Sequence, residues 1–261
     1  MTKNLLIFAL LLTAAAGSGY AQKSDTVKIS AANVNTAVLK PGINRYLVYF
    51  KNGRDSSRIN YQFWTREVAF VDYNSQQAIS VKQEWEDNAG LVHKVYSVSD
   101  RKTFKPLYHE IWWKNRGAAS FSFSDQKAIF MDKPLTEADT AKRSKLIYGG
   151  FKQALTQDYL LNWHTDLEVF PILPYKANTT FLVNFYDPGT ASAPQEVAYT
   201  VTGSGQLEGY NNQKIDCWLL SHSSPGNKEV FWISKKTREV LKLEQEFNGK
   251  FRYKIKLGFG S

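Results

Sequence analysis

The stretch Phe251-Arg252-Tyr253-Lys254-Ile255-Lys256-Leu257 alternates apolar and basic residues without a break. Successive side chains of a strand point to opposite faces, so this spacing predicts a strand with one apolar and one cationic face. The preceding run, Leu241-Lys242-Leu243-Glu244-Gln245-Glu246, alternates likewise, with acids on its polar side. Together they predict antiparallel neighbours covered on one face only. Asn248-Gly249 invites a two-residue turn, but that register sets Glu244 opposite Tyr253 and mixes the faces. A slip of one residue flips every side chain. The patterning therefore favours a three-residue loop, Phe247-Asn248-Gly249, which pairs Glu246 with Lys250, Glu244 with Arg252, Leu243 with Tyr253 and Leu241 with Ile255. Each such pair contributes roughly 0.2–1 kcal/mol.

Short strand-like runs separated by turn clusters fill most of the remaining chain. The cleanest sets Ile79, Val81, Gln83 and Trp85 against Ser80, Lys82, Glu84 and Glu86. Between residues 131 and 180 the period changes. Thr136-Glu137-Ala138-Asp139 has the form of a helix cap, leading to a short helix around Leu146 and Ile147 that Gly149-Gly150 interrupts. Phe151, Leu155 and Tyr159 recur at a four-residue spacing and predict a second, amphipathic helix, which Pro171 and Pro174 end. Two helices are too few to cover a flat sheet of ten or more strands, and sheets that large curl or split. The expected fold is mainly β (α+β): one large curved antiparallel sheet, a half-barrel, with about two helices in its concave face. Arg101 to Leu107 and Lys235 to Leu241 echo one another between strands. One recurring turn geometry explains the echo without a duplication.

The first 21 residues read as an export signal. Lys3 supplies the charge, Leu5 to Ala16 an apolar core too short to span a bilayer, and Gly19-Tyr20-Ala21 the small residues of a cleavage site. Cleavage is expected between Ala21 and Gln22, giving a periplasmic or secreted protein that does not span the membrane. Residues 22–42 show little pattern and form a lead-in, and 43–261 make a single domain. A chain this long buries roughly 70–75% of its unfolded surface. It needs no disulfide and can form none internally, since Cys217 is its only cysteine; an unpaired thiol of this kind is expected in the core. The formal net charge of +9 is spread over strands and turns, which describes a solvated outer face better than a nucleic-acid surface.

The segments Val201 to Gly205, Ile215-Asp216-Cys217-Trp218, and Phe231 through Thr237 to Lys242 resemble a family of exported bacterial proteins. Its members carry a domain of unknown function allied to the lipoprotein-carrier (LolA/LolB-like) superfamily. Ser234 stands where that pattern has an acid in its turn. The resemblance is specific over Val197 to Leu257 and architectural over Ile43 to Met131. It implies a half-barrel whose concave face, in the carriers, holds acyl chains.

No phosphate loop, nucleophile elbow or metal-ligand spacing appears among the four histidines and the acids, so neither a cofactor nor a catalytic residue is assigned. Polar residues on apolar stripes are more informative. Gln83 lies between Val81 and Trp85, and His109 between Leu107 and Ile111 on the face shared with Trp113. Such groups require hydrogen-bond partners, or they line a mostly apolar pocket. The expected ligand-binding set is Gln83, Trp85, His109 and Trp113 from the strands, with Phe151, Leu155 and Tyr159 from the helix. The leading expectation is a non-enzymatic binding module for a lipid or a lipidated protein. An enzyme using His109 as acid or base, and an envelope interaction protein without a small ligand, are the alternatives.

Overall fold

Sixteen strands form one continuous sheet in the computed structural model, which describes residues 25–209 and 212–258. The strands are β1 (Asp25–Lys28), β2 (Gly42–Lys51), β3 (Ile59–Tyr73), β4 (Gln76–Asp87), β5 (Gly90–Asp100), β6 (Pro106–Trp113), β7 (Gly117–Ser122), β8 (Lys127–Phe130), β9 (Lys133–Pro134), β10 (Leu161–Asn162), β11 (Thr179–Tyr186), β12 (Gln195–Glu208), β13 (Lys214–Ser224), β14 (Asn227–Ser234), β15 (Val240–Phe247) and β16 (Lys250–Leu257). Strands β11 to β16 run in sequence order, β16 then pairs with β2, and β2 to β9 follow. Only β1 and β10 pair in parallel, both with β11. The sheet curls without closing, as the one-faced patterning requires. The expected export signal and its cleavage site lie outside the described residues.

The described part of the lead-in, from residue 25, packs with the sheet. Residues 25–28 add β1 to the sheet edge, and Ile29 and Leu39 enter the main core. Helix formation also differs from expectation. A single helix, α1 (Lys142–Leu155), runs straight through Gly149-Gly150. Thr136 to Asp139 instead forms a turn, in which the Thr136 amide donates to Asp139 Oδ2 at 2.6 Å. Tyr159 lies beyond the helix. The second helix, α2 (Asp166–Val169), is four residues long and continues into a 3-10 turn over Phe170–Ile172, which includes Pro171.

Two apolar clusters fill the concavity. Val169, Phe170, Ile172 and Leu173 pack against Trp64, Val81, Phe181, Val183, Phe231 and Ile233. The inner stripe of α1, Ile147, Phe151 and Ala154, packs against Val95, Ile111, Ala119 and Phe121. Cys217 is buried, and burial pushes its thiol up to about 11.

Gly149 and Gly150 differ in what surrounds them. A methyl group on Gly149 would meet nothing, whereas one on Gly150 would lie 2.5 Å from the Ser192 carbonyl. Gly149→Ala should therefore raise stability by about 0.5–1 kcal/mol through helix propensity, and Gly150→Ala should lower it. Thermal midpoints moving in the same direction would refute this assignment of the two positions.

The echoed turns are the same structure. In the first, the Phe104 amide donates to the Asp100 carbonyl and the Asp100 amide to the Lys105 carbonyl; in the second, Arg238 pairs with Ser234 and Ser234 with Glu239 in the same way. Asp100 Oδ1 and Ser234 Oγ each accept from the amide three residues on. Phe104 and Arg238 take the left-handed conformation. A serine thus does the work of the acid at this turn.

The C-terminal hairpin takes the register that face matching had disfavoured. Phe247 pairs with Lys250 and Glu244 with Tyr253 around the two-residue turn Asn248-Gly249, both at positive φ. The reason is that β16 is turned over: Lys254 and Lys256 are buried, while Leu257 is exposed. Its cationic face points into the barrel.

Candidate functional site

The inward face of β16 meets a set of buried charges. On β3, Arg66 sits between Trp64 and Val68 on the inner face and is 1% exposed. Its guanidinium grips the Glu168 carboxylate through two nitrogens, donates to Gln83 Oε1 at 2.9 Å and to the His164 carbonyl at 2.9 Å. It also lies 3.6 Å from Asp166 Oδ1. Lys254 Nζ reaches Asp166 Oδ2 at 3.1 Å and lies 4.6 Å from the Trp64 ring centre. Two cations thus oppose two carboxylates, and α2 is tied by both acids to β3 and β16. Burial pushes Lys254 down to about 8, with Asp166 opposing the fall. For Asp166 burial acts upward, but Lys254 and Arg66 outweigh it and hold the carboxyl below its usual range. For Glu168 burial prevails over Arg66 and raises the carboxyl.

Gln83 belongs to this network. Its amide donates to the His164 carbonyl at 2.6 Å while its oxygen accepts from Arg66, so the hydrogen bonds that its position demanded are made within the chain. Trp85 stacks on Trp64 with ring centres 3.7 Å apart and meets Trp113 edge-on at 5.5 Å. Trp85→Ala should destabilise by about 3 kcal/mol, as the loss of a packed large side chain. Lys82→Ala, on the outer face, should stay within about 0.5 kcal/mol. Equal urea midpoints for the two variants would reverse the faces assigned to β4.

A second polar group lies beside the first. Ring centres of His109 and His164 are 4.8 Å apart, and those of His93 and His164 are 5.6 Å apart. Asn162 Nδ2 donates to His109 Nδ1 at 2.9 Å, so the His109 proton resides on Nε2. The Trp112 carbonyl accepts from His93 Nδ1 at 2.9 Å, which leaves the His93 lone pair on Nε2. Both Nε2 atoms are buried without a hydrogen-bond partner. Burial, with His164 adding to it, pushes His93 down to about 3 and His109 well below the usual imidazole range. Both rings are neutral at pH 7. Among the described residues no cluster of His, Cys, Asp or Glu is arranged to hold a metal ion.

Gln83, Trp85, His109 and Trp113 thus lie near one another, but the residues expected to form one ligand site do not line one cavity. Gln83, Trp85 and His109 are committed to internal networks, and Phe151 is fully enclosed. Tyr159 donates to the Thr103 carbonyl at 2.8 Å. Leu155 lines an open cleft of about 390 Å³ between α1 and the ends of β4 to β6. Leu107, Phe123 and Leu160 floor that cleft; Gln76, Asp100, Lys105 and Gln157 rim it. Trp113 borders a different pocket, at the other end of α1. Arg66, absent from the expected set, carries the same sequence signal as Gln83: it lies between Trp64 and Val68 as Gln83 lies between Val81 and Trp85.

The sequence profile of a family described as "Protein of unknown function (DUF3108)" matches residues 45–256. The chain belongs to this family. The matched span runs from β2 to β16 and includes both buried networks and α1. No curated protein matches the DUF3108 chain. Its fold is similar to a solved structure titled "Crystal Structure of Beta-barrel-like Protein of Domain of Unknown Function DUF1849 from Brucella abortus". The two share 11% identity over 84% of this chain and 98% of that one, with a TM-score of 0.29. Nothing in these matches extends the kinship to lipoprotein carriers. Among the described residues no helix is long and apolar enough to cross a membrane.

Proposed function

We propose that this DUF3108 protein is an exported, non-enzymatic binding module for an amphiphile with one apolar chain, taken up beneath α1. The observation that carries the proposal is the cleft of about 390 Å³ with an apolar floor and a polar rim, a volume within the roughly 300–1,000 Å³ of small-ligand sites. The centre of the half-barrel is an unfavourable alternative, because Phe170, Ile172 and Leu173 already fill it. His109 has no exposed surface and touches no open space, which disfavours its use as an acid or base. Export is supported by Lys3, the apolar run Leu5 to Ala16 and Gly19-Tyr20-Ala21. A relationship to lipoprotein carriers rests on the C-terminal motif alone.

A fluorescent fatty acid titrated into the purified chain should show saturable binding. Leu155→Glu places a charge on the half-buried wall of the cleft and should weaken that binding at least tenfold with the unfolding midpoint unchanged. Absence of binding by the wild type, or equal binding by L155E, removes the proposal and leaves an interaction protein without a small ligand.

A further inference from the structure

The pocket bordered by Trp113 lies where the β6–β7 turn, the first turn of α1 and the loop after β11 meet, and it measures about 180 Å³. Arg116 and Arg143 line it from different elements. Each guanidinium is stationed over an aromatic ring, Arg116 at 5.6 Å from Trp113 and Arg143 at 4.9 Å from Phe130. Among the described residues neither has a carboxylate within 4.0 Å. Stacking leaves the in-plane N–H groups of an arginine free, and these are the groups that clasp an oxyanion.

At the same pocket, Asp187 Oδ1 is enclosed 3.0 Å from His164 Nε2, while the Asp187 side chain as a whole is 37% exposed. With Oδ1 enclosed and the side chain partly exposed, Oδ2 is the carboxylate oxygen open to a donor from a ligand. The loop that carries Asp187 is tightly set: Thr190 Oγ1 donates to the Asp187 carbonyl at 2.7 Å. Gly189, at φ +87°, approaches Ile111 so closely that a Cβ would lie 2.5 Å from its terminal carbon.

We infer that this pocket binds a phosphoester carrying a neighbouring hydroxyl, with the phosphate between Arg116 and Arg143 and the hydroxyl donating to Asp187. Two guanidiniums against one carboxylate leave a positive surplus that a phosphate neutralises. The volume falls below that of drug-sized sites, so the occupant is a small molecule or a single headgroup and not an acyl chain. The pocket is separate from the cleft that Leu155 lines, and the two sites stand or fall independently.

Glycerol 3-phosphate, inorganic phosphate and succinate titrated calorimetrically into the purified chain test the inference. Glycerol 3-phosphate should bind most tightly. Arg116→Gln or Arg143→Gln, both at exposed positions, should each weaken it at least tenfold without moving the unfolding midpoint. Asp187→Asn should reduce its advantage over inorganic phosphate to less than threefold. Sedimentation with phosphatidylglycerol vesicles, against phosphatidylcholine, separates the sources. Vesicle binding lost in the arginine variants identifies a lipid headgroup, and binding of the free phosphoester alone identifies a soluble ligand. Tighter binding of succinate, retention of binding in both arginine variants, or no binding of any anion overturns the inference. L155E, which disables the cleft, should leave phosphoester binding unchanged.

Discussion

Arg66→Ala is expected to destabilise the chain by about 3–5 kcal/mol, the loss that follows when one partner of a buried ion pair is removed. The variant leaves Glu168, which is 4% exposed, without its cation and takes a hydrogen bond each from Gln83 and the His164 carbonyl. Asp166 keeps Lys254, so the damage falls mainly on the Glu168 side. Arg66→Ala/Glu168→Gln should recover part of the loss, because it removes the uncompensated charge along with the cation. Chemical denaturation of the two variants and the wild type decides this. A loss below about 1 kcal/mol in the single variant, or no recovery in the double one, would show that the cluster does not anchor α2 to the sheet.

Acid should destabilise the protein well above the pH at which ordinary carboxylates titrate. His93 and His109 are fully buried, and their folded-state values are depressed, His93 to about 3. The unfolded chain takes up protons on both rings below about pH 6.5 while the folded chain does not. Stability therefore falls as pH drops through that value, by up to about 1.4 kcal/mol per pH unit for each ring. Over pH 6.5 to 4.5 His93 contributes a loss of about 2 kcal/mol, and His109 acts in the same direction. Glu168 and Glu229 act in the opposite direction. Burial raises both, so the folded chain binds their protons first and gains stability as pH falls. Comparing variants isolates the imidazoles: His93→Gln/His109→Gln should show a distinctly flatter dependence than the wild type over this window. Parallel curves would mean that the rings are protonated in the folded protein.

Half of the candidate site was open to reading along the chain. Gln83 stands out because an amide interrupts the stripe of Val81 and Trp85, and burial of such a group implies partners. Arg66 obeys the same logic, but β3 alternates less cleanly: Phe63 and Tyr61 are exposed apolar residues on its outer face. Asp166 and Glu168 carry no such signal. Two acids alternating with Leu167 and Val169 look like ordinary solvent-facing residues until a sheet closes around them.

The residue order by itself determined the architecture, since alternation at period two along most of the chain admits only one-faced strands, and a single sheet that long must curl. It determined the matched turns after β5 and β14, because a side-chain acceptor followed three residues later by threonine specifies local hydrogen bonds that need no distant partner. It determined the inner stripe of β4, where the apolar residues are the buried ones. Only the tertiary structure decided which face of β16 is inside. Alternation reports that two faces differ, and hydrophobicity ordinarily orients them, but Lys254 finds Asp166 from a helix 88 residues away. Paired charge then satisfies the interior, and Tyr253, Ile255 and Leu257 are left on the outside. The continuity of α1 through Gly149-Gly150 was decided in the same way: the propensity penalty of two glycines is about 1 kcal/mol each, which the burial of Ile147, Phe151 and Ala154 on one stripe outweighs.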